Sequence, residues 1–169
     1  ADKGSSPGDT GGDKNLLDAL DFNSTGGSFQ DIWQGHYQAI NRANQALYYL
    51  PLLTNANQDL KTRLEGEAKF LRAFSYFTLM RSFGGVPIVD HVPIAGNDAD
   101  RAMLLTRKTK EEVYSFIESD LNAAIAVLPQ KNAYSASDIG RASKGAAHAL
   151  LAKVHLYQKN WQKDIENCN

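Results

Sequence analysis

Three observations predict an all-α chain. Four stretches carry apolar residues three and four positions apart, which is the period of a buried helix face. Three of these stretches have a start or stop signal of their own. No strand pair of comparable strength is visible anywhere in the sequence. The 169 residues are enough for one domain with a core, or for part of a larger one, and the 43% hydrophobic and 22% charged fractions are ordinary for a globular protein.

Residues 1–27 are rich in Gly, Ser, Asp and Asn and read as a loop-rich segment, interrupted by the short apolar piece Leu16 to Leu20. Residues 28–169 read as one helical domain. Ile32, Trp33, Tyr37, Ile40, Ala43, Leu47 and Leu50 recur at helical spacing until Pro51 stops the run. Asn57 then serves as the N-cap of a longer helix through Phe83. Its predicted apolar stripe is Leu60, Leu64, Ala68, Leu71, Phe74, Phe77 and Met80. The other face offers two i,i+4 ion pairs, Asp59–Arg63 and Glu65–Lys69.

Gly84 and Gly85 end that helix, and Val86-Pro87-Ile88-Val89 is extended because the residue before proline avoids the α region. Asp90 to Lys108 reads as a long connection without helical period. Thr109-Lys110-Glu111-Glu112 is a capping box opening a third helix, with Val113, Phe116, Ile117, Leu121, Ala124, Ile125 and Leu128 on its buried stripe and Pro129 at its end. After a polar loop from Gln130 to Gly140, a fourth helix runs from Ser143 to Tyr157, with Ala146, Ala147, Leu150, Leu151, Val154 and Leu156 on its packing face. Asn160 would cap a fifth.

The second and fourth helices match at one fixed separation: Gly66 with Gly145, Ala68 with Ala147, Leu71 with Leu150, Ala73 with Ala152 and Phe77 with Leu156. The later copy fits the tetratricopeptide template in part, with Leu151-Ala152 at the Leu-Gly position and His155 where Tyr is usual. It departs where Asp164 replaces the usual small Ala. The expected architecture is a tetratricopeptide-like α-α superhelix of stacked helix pairs.

Composition excludes several function classes. Eighteen basic and 19 acidic residues leave a net charge of -1, with no footprint for nucleic acid or an anionic membrane surface. No apolar run approaches the length of a bilayer span, and the N-terminus lacks the form of a signal peptide. The single Cys168 rules out an internal disulfide and any multi-cysteine metal site.

No catalytic constellation is visible, and the sequence points to no enzyme, cofactor or metal. His148 and His155 are seven apart, whereas adjacent-turn metal ligands need i,i+4 spacing. Of the four histidines, His36, His91, His148 and His155, only His91 stands at a candidate site. Glu65 and Glu67 diverge by about 200° around a helix, which is no glycosidase pair. Gly-x-Ser-x-Gly is absent, and Gly84-Gly85 lacks the phosphate-loop pattern.

Arg72, Trp33 and Trp161 read as scaffold, and Arg81 lies beside aromatic residues on the second helix. The better site is the long connection. Asp90, His91, Asn97, Asp98, Asp100 and Arg101 cluster there, with mixed hydrogen-bond donors and acceptors. Truncating a buried Trp33 should cost about 3–5 kcal/mol. Exposed Asn97, Asp98 and Arg101 should each tolerate alanine within about 0.5 kcal/mol.

Three stretches together resemble the SusD/RagB family of Bacteroidetes outer-membrane lipoproteins. They are Trp33-x3-Tyr37-x2-Ile40-x2-Ala43-Asn44, then Gly66-Glu67-Ala68-Lys69-Phe70-Leu71-Arg72-Ala73-x2-Tyr76-Phe77 running into Phe83-Gly84-Gly85-Val86-Pro87, and Lys144-Gly145-Ala146-Ala147-x2-Leu150-Leu151-Ala152-Lys153 with Tyr157 and Trp161 after it. Family members are much longer, so the chain looks like their N-terminal part. The resemblance implies a SusD-like helical scaffold tied to the cell surface by a lipid anchor outside this chain. It further implies capture of a glycan, or a peptide in some members, for a partner TonB-dependent transporter of the SusC type, without catalysis. A rival expectation is a tetratricopeptide-type module that binds only protein or peptide. A helical glycosidase is disfavoured, because no acid/base pair is visible.

Overall fold

A computed structural model describes residues 27–159. Among them stand five α-helices and no strand: α1 (Gly27–Tyr49), α2 (Gln58–Phe83), α3 (Asp98–Leu105), α4 (Lys110–Val127) and α5 (Lys144–Tyr157). Short 3-10 turns occupy Leu50–Leu52, Lys131–Ala133 and Ala136–Asp138. The predicted short piece at Leu16 to Leu20, the fifth helix capped by Asn160, Trp161 and Cys168 lie outside the described residues.

The signals named in the sequence bound α1, α2 and α4. Pro51 sits in the turn that follows α1. The Asn57 side chain accepts from the Leu60 N–H at 3.0 Å to cap α2. Thr109 and Glu112 form the reciprocal capping box of α4, and Ser143 caps α5. The helices stack in order, α1 on α2, α2 on α4 and α4 on α5, as a helical repeat array does. Their shared core runs from Ile40 through Tyr76, Phe77 and Leu79 to Val113, Ile117 and Leu121, and on to Leu151 and Val154.

Two expectations about α2 are corrected. Leu60, Leu71 and Phe74 were expected on a buried stripe, yet Leu71 is 54% and Phe74 48% exposed. Helix α2 lies between α1 and α4, so it buries two flanks, including Tyr76 and Leu79, and leaves a ridge outside. Of the two expected ion pairs, Lys69–Glu65 forms at 2.7 Å. Arg63 turns instead to Glu67 at 3.6 Å and to Asp138 at 3.2 Å, in a partly buried network that Arg141 completes.

The two matched helices are alike only in part. Ala68 and Ala147 are both buried, as are Ala73 and Ala152. At Gly66 an added Cβ would lie 2.6 Å from Val127, so this position does admit a close neighbour, whereas Gly145 faces open space. Phe77 is buried while its counterpart Leu156 is 44% exposed, and Ala146, expected on the packing face of α5, is exposed too.

Candidate functional site

The candidate site begins where α2 ends. Gly84 takes φ +78°, which reverses the chain while its N–H still reaches the Met80 carbonyl at 2.8 Å. At Gly85 an added Cβ would fall 1.9 Å from the Lys108 carbonyl oxygen. The two glycines thus serve different ends, one a turn and the other a close crossing of two backbones. Lys108 N–H then bonds the Val86 carbonyl at 3.2 Å, and Arg107 Nε bonds the Gly85 carbonyl at 2.6 Å.

Residues 86–91 run as an extended strap over α1 and α2, with Val86 and Val89 buried. No strand pairs with the strap among the described residues, so beyond the Lys108 bond to Val86 its backbone is met by side chains. Tyr37 donates to the Pro87 carbonyl at 2.7 Å. The Tyr76 hydroxyl accepts from the Val89 N–H at 2.7 Å and donates to the Val89 carbonyl at 3.2 Å. Asn44 Nδ2 donates to the Val89 carbonyl at 2.8 Å and to that of His91 at 3.1 Å. Burial pushes the Tyr37 and Tyr76 hydroxyls well above the usual phenol range, so both keep their protons.

Beneath the strap lies Arg72, only 6% exposed. Its Nε and Nη2 donate in a fork to Asp120 of α4, at 2.7 and 2.8 Å. Its Nη1 donates to Asn44 Oδ1 at 2.7 Å and to the Asp90 carbonyl at 2.8 Å. The guanidinium also stands 4.9 Å from the centre of the Phe116 ring. Arg72 is scaffold, as expected, and the network names its partners.

The strap leads into the predicted site. Here the expected structureless connection is corrected, because it contains α3. Asn97 Oδ1 accepts from the N–H groups of Ala99 and Asp100, and Asp98 and Asp100 lie in the first turn, where the helix dipole favours negative charge. At eight residues this helix is too short for a periodicity argument to detect.

Asp90, His91 and Asp100 come together. His91 Nδ1 stands 2.6 Å from Asp90 Oδ1, and its Nε2 stands 3.1 Å from Asp100 Oδ1. Hydrogen bonds to these two carboxylates raise the His91 pKa above the usual histidine value. Asp100 Oδ2 accepts from the Ile94 N–H at 2.6 Å, and that bond, followed by the one from His91, holds its carboxyl below the usual range. The carboxylates sit on opposite ring nitrogens, so the trio does not converge on a point where a metal would lie. Asp98 and Arg101 are exposed, and their side chains make no hydrogen bond or ion pair among the described residues.

The described residues also form concave surfaces, two of them beside α1 and α2. A polar groove of about 510 Å³ opens beside the strap, lined by Gln58, Lys61, Thr62, Lys69, Arg72 and Asp90. An apolar groove of about 980 Å³ runs between α1 and α2 past Ile32, Ala39, Leu64, Leu71 and Phe74. A hollow of about 800 Å³ lies at Gln130, Asn132, Tyr134 and Arg141.

The remaining candidates pack into the frame. Trp33 tilts against Tyr37 at 4.8 Å and meets Phe83 edge-on at 5.2 Å. Arg81 stacks over Phe77 and Tyr157. Glu65 pairs outward with Lys69, while Glu67 turns inward to Arg141 at 2.8 Å, so these carboxylates face different partners. His155 is buried, 3.8 Å from Glu118.

Sequence reasoning left Asn44, Tyr37, Tyr76 and Asp120 without roles at the strap. For Asp120 a signal existed: it stands three after Ile117 and four before Ala124, on the buried stripe of its helix. A charge on an apolar stripe implies a buried partner.

Comparison with known proteins places this geometry in context. Residues 13–156 match the SusD-like family described as starch-binding and associating with the outer membrane. A SusD-like protein of Bacteroides ovatus is 31% identical over 145 residues, which cover 85% of this chain and 24% of that protein. A crystallised SusD-like carbohydrate-binding protein from Bacteroides fragilis is 30% identical with a TM-score of 0.75, over 87% of this chain and 28% of that one. A laminarin-binding SusD-like protein is 34% identical with a TM-score of 0.72, over 81% and 28%. The chain spans about a quarter of the length of such relatives.

Proposed function

We propose a function from one premise: the chain belongs to the SusD-like family. In this reading it forms the helical, loop-presenting part of a cell-surface glycan-binding protein. That protein captures its ligand without turnover and passes it to a TonB-dependent outer-membrane transporter of the SusC type. A lipid anchor outside this chain ties it to the outer membrane. The observation that carries the reading is the match over residues 13–156 to a starch-binding, outer-membrane-associated family.

The loop at 90–101 supplies ligand contacts in this reading, with its residues in two roles. Asp98 and Arg101 are free to bond hydroxyls, and Asp90 stands at the rim of the polar groove. Asn97, Asp100 and His91 hold the loop in shape.

The test uses the full-length protein on a glycan array that includes laminarin. Calorimetry on the best hit then compares wild type with Asp98→Ala/Arg101→Ala. Loss of one or two charge-assisted hydrogen bonds, about 1.5–3 kcal/mol each, is expected to weaken binding at least tenfold. Unchanged affinity would remove the loop from the site. Release of a shortened glycan from a bound hit would overturn the non-catalytic reading, and absence of a transporter from native co-purification would count against the partnership.

A peptide ligand has one observation in its favour, the apolar groove between α1 and α2, which has the character of a helix-accepting surface. Binding of peptides but no glycans by the full-length protein would select that reading.

A further inference from the structure

We propose that His91 is a proton-operated latch on the 90–101 loop, closed when its ring carries two protons and released at one end when it carries one. The ground is geometric. Its two ring nitrogens face two different carboxylates, Asp90 at 2.6 Å and Asp100 at 3.1 Å. An ionised carboxylate only accepts, so both bonds coexist only on an imidazolium. A neutral ring has one N–H and must turn a lone pair towards the other carboxylate.

The two anchors belong to different elements. Asp90 ends the strap, and its carbonyl is fixed by Arg72 from below. Asp100 belongs to the first turn of α3 and also ties down the Ile94 N–H. His91 therefore links Asp90 of the strap to the start of α3, across a loop whose other hydrogen bonds are local. Further along α3, Met103 packs on the core. Half of the His91 side chain is exposed, so the proton exchanges with solvent without any unfolding.

The charges around the ring leave the two carboxylates in command. Asn44 of α1, which bonds the His91 carbonyl, is neutral. The Arg72 cation of α2 is matched by Asp120 of α4. Lys69 of α2, which lines the same groove as Asp90, is paired with Glu65. The raised His91 pKa agrees with this balance. The sign follows: latching is complete below the free-histidine value of about 6.5 and is lost as pH rises through the raised pKa. Presentation of Asp98 and Arg101 would then be firmer in acid, a consequence that rests on the ligand-loop reading, whereas the latch itself does not.

The experiment is ligand-free, so its outcome is separate from that of the glycan reading. The His91 ring is titrated by NMR in the chain, and amide exchange of residues 94–101 is followed between about pH 5.5 and 8.5, corrected for intrinsic chemistry. Opening of these amides is expected to rise about tenfold for each unit by which the His91 pKa exceeds the free value, with the same midpoint as the ring. In His91→Gln the step should vanish, and in Asp100→Asn the ring pKa should fall towards that of free histidine. The latch is refuted if loop opening shows no step at the ring's midpoint, or if the step persists in His91→Gln while α2 stays protected.

Discussion

Replacing Arg72 by alanine tests the frame at its centre. The side chain makes four hydrogen bonds, two to Asp120, one to Asn44 Oδ1 and one to the Asp90 carbonyl, all between 2.7 and 2.8 Å. Asp120 is only 5% exposed, so the truncation strands an ionised carboxylate in the core. Removing one member of such a pair costs about 3–5 kcal/mol. Folded domains hold about 5–15 kcal/mol in all, so a large share of the stability goes with it. For a domain of this size the melting temperature should fall by about 6–20 °C, at roughly 2–4 °C per kcal/mol. Urea and thermal unfolding measure the loss. The double variant Arg72→Met/Asp120→Leu separates the causes, because it removes the stranded charge together with its partner. It should recover most of the loss, although the strap loses the bond to Asp90 in both variants. A single variant that costs less than about 1 kcal/mol, or a double variant no better than the single, would refute the buried-pair account.

Other outcomes follow from the same frame. Gly85→Ala places a Cβ 1.9 Å from the Lys108 carbonyl oxygen and should cost at least the 1–3 kcal/mol typical of overpacking, roughly, by urea unfolding. Gly84→Ala strains a residue at φ +78° and should cost about 1–3 kcal/mol without separating the two backbones, which amide exchange at Lys108 distinguishes. Asn97→Ala should cost about 1 kcal/mol through loss of the α3 cap, contrary to the tolerance expected from exposure alone, whereas Asp98→Ala and Arg101→Ala should stay within about 0.5 kcal/mol. Trp33 is half-buried against Tyr37 and Phe83, so its truncation should cost about 2–3 kcal/mol, below the range for a fully buried aromatic, and thermal unfolding checks the difference.

The helices were legible in the sequence because their signals are local. Asn57, Thr109 with Glu112, Pro51 and Pro129 act on neighbours within four residues, and each does in the structure what its type and position imply. The burial of α2 was less legible, because periodicity assumes one buried face and α2 has two. Its exposed Leu71 and Phe74 and its buried Arg72 and Glu67 invert the usual assignment. Within the 90–101 segment proposed as the site, the division of labour was not legible. Asn97 and Asp98 look equivalent in a polar loop, yet one caps a helix and the other stands free. The strap contacts join residues 13 to 50 positions apart, from Tyr76 with Val89 to Tyr37 with Pro87, and no local pattern encodes such a partner.

That strap also explains why polar groups sit where apolar ones would stabilise as well. A buried ion pair is often worth no more than a well-packed hydrophobic substitute, so Arg72 and Asp120 need a reason beyond stability. The reason lies in the extended backbone above them. Among the described residues no strand pairs with 86–91, and each buried carbonyl or N–H left unpaired would cost about 1–3 kcal/mol. Tyr37, Asn44, Arg72 and Tyr76 answer those groups one by one, from two different helices. Asp120 then keeps the arginine oriented and its charge matched, with Nη1 left over for Asn44 and the strap. Leucine at these positions would fill the same space and leave the strap unheld. The polar core of this helical array is thus the consequence of carrying a fixed, irregular segment on its surface, and the segment it fixes is the one that leads into Asp90, His91 and α3.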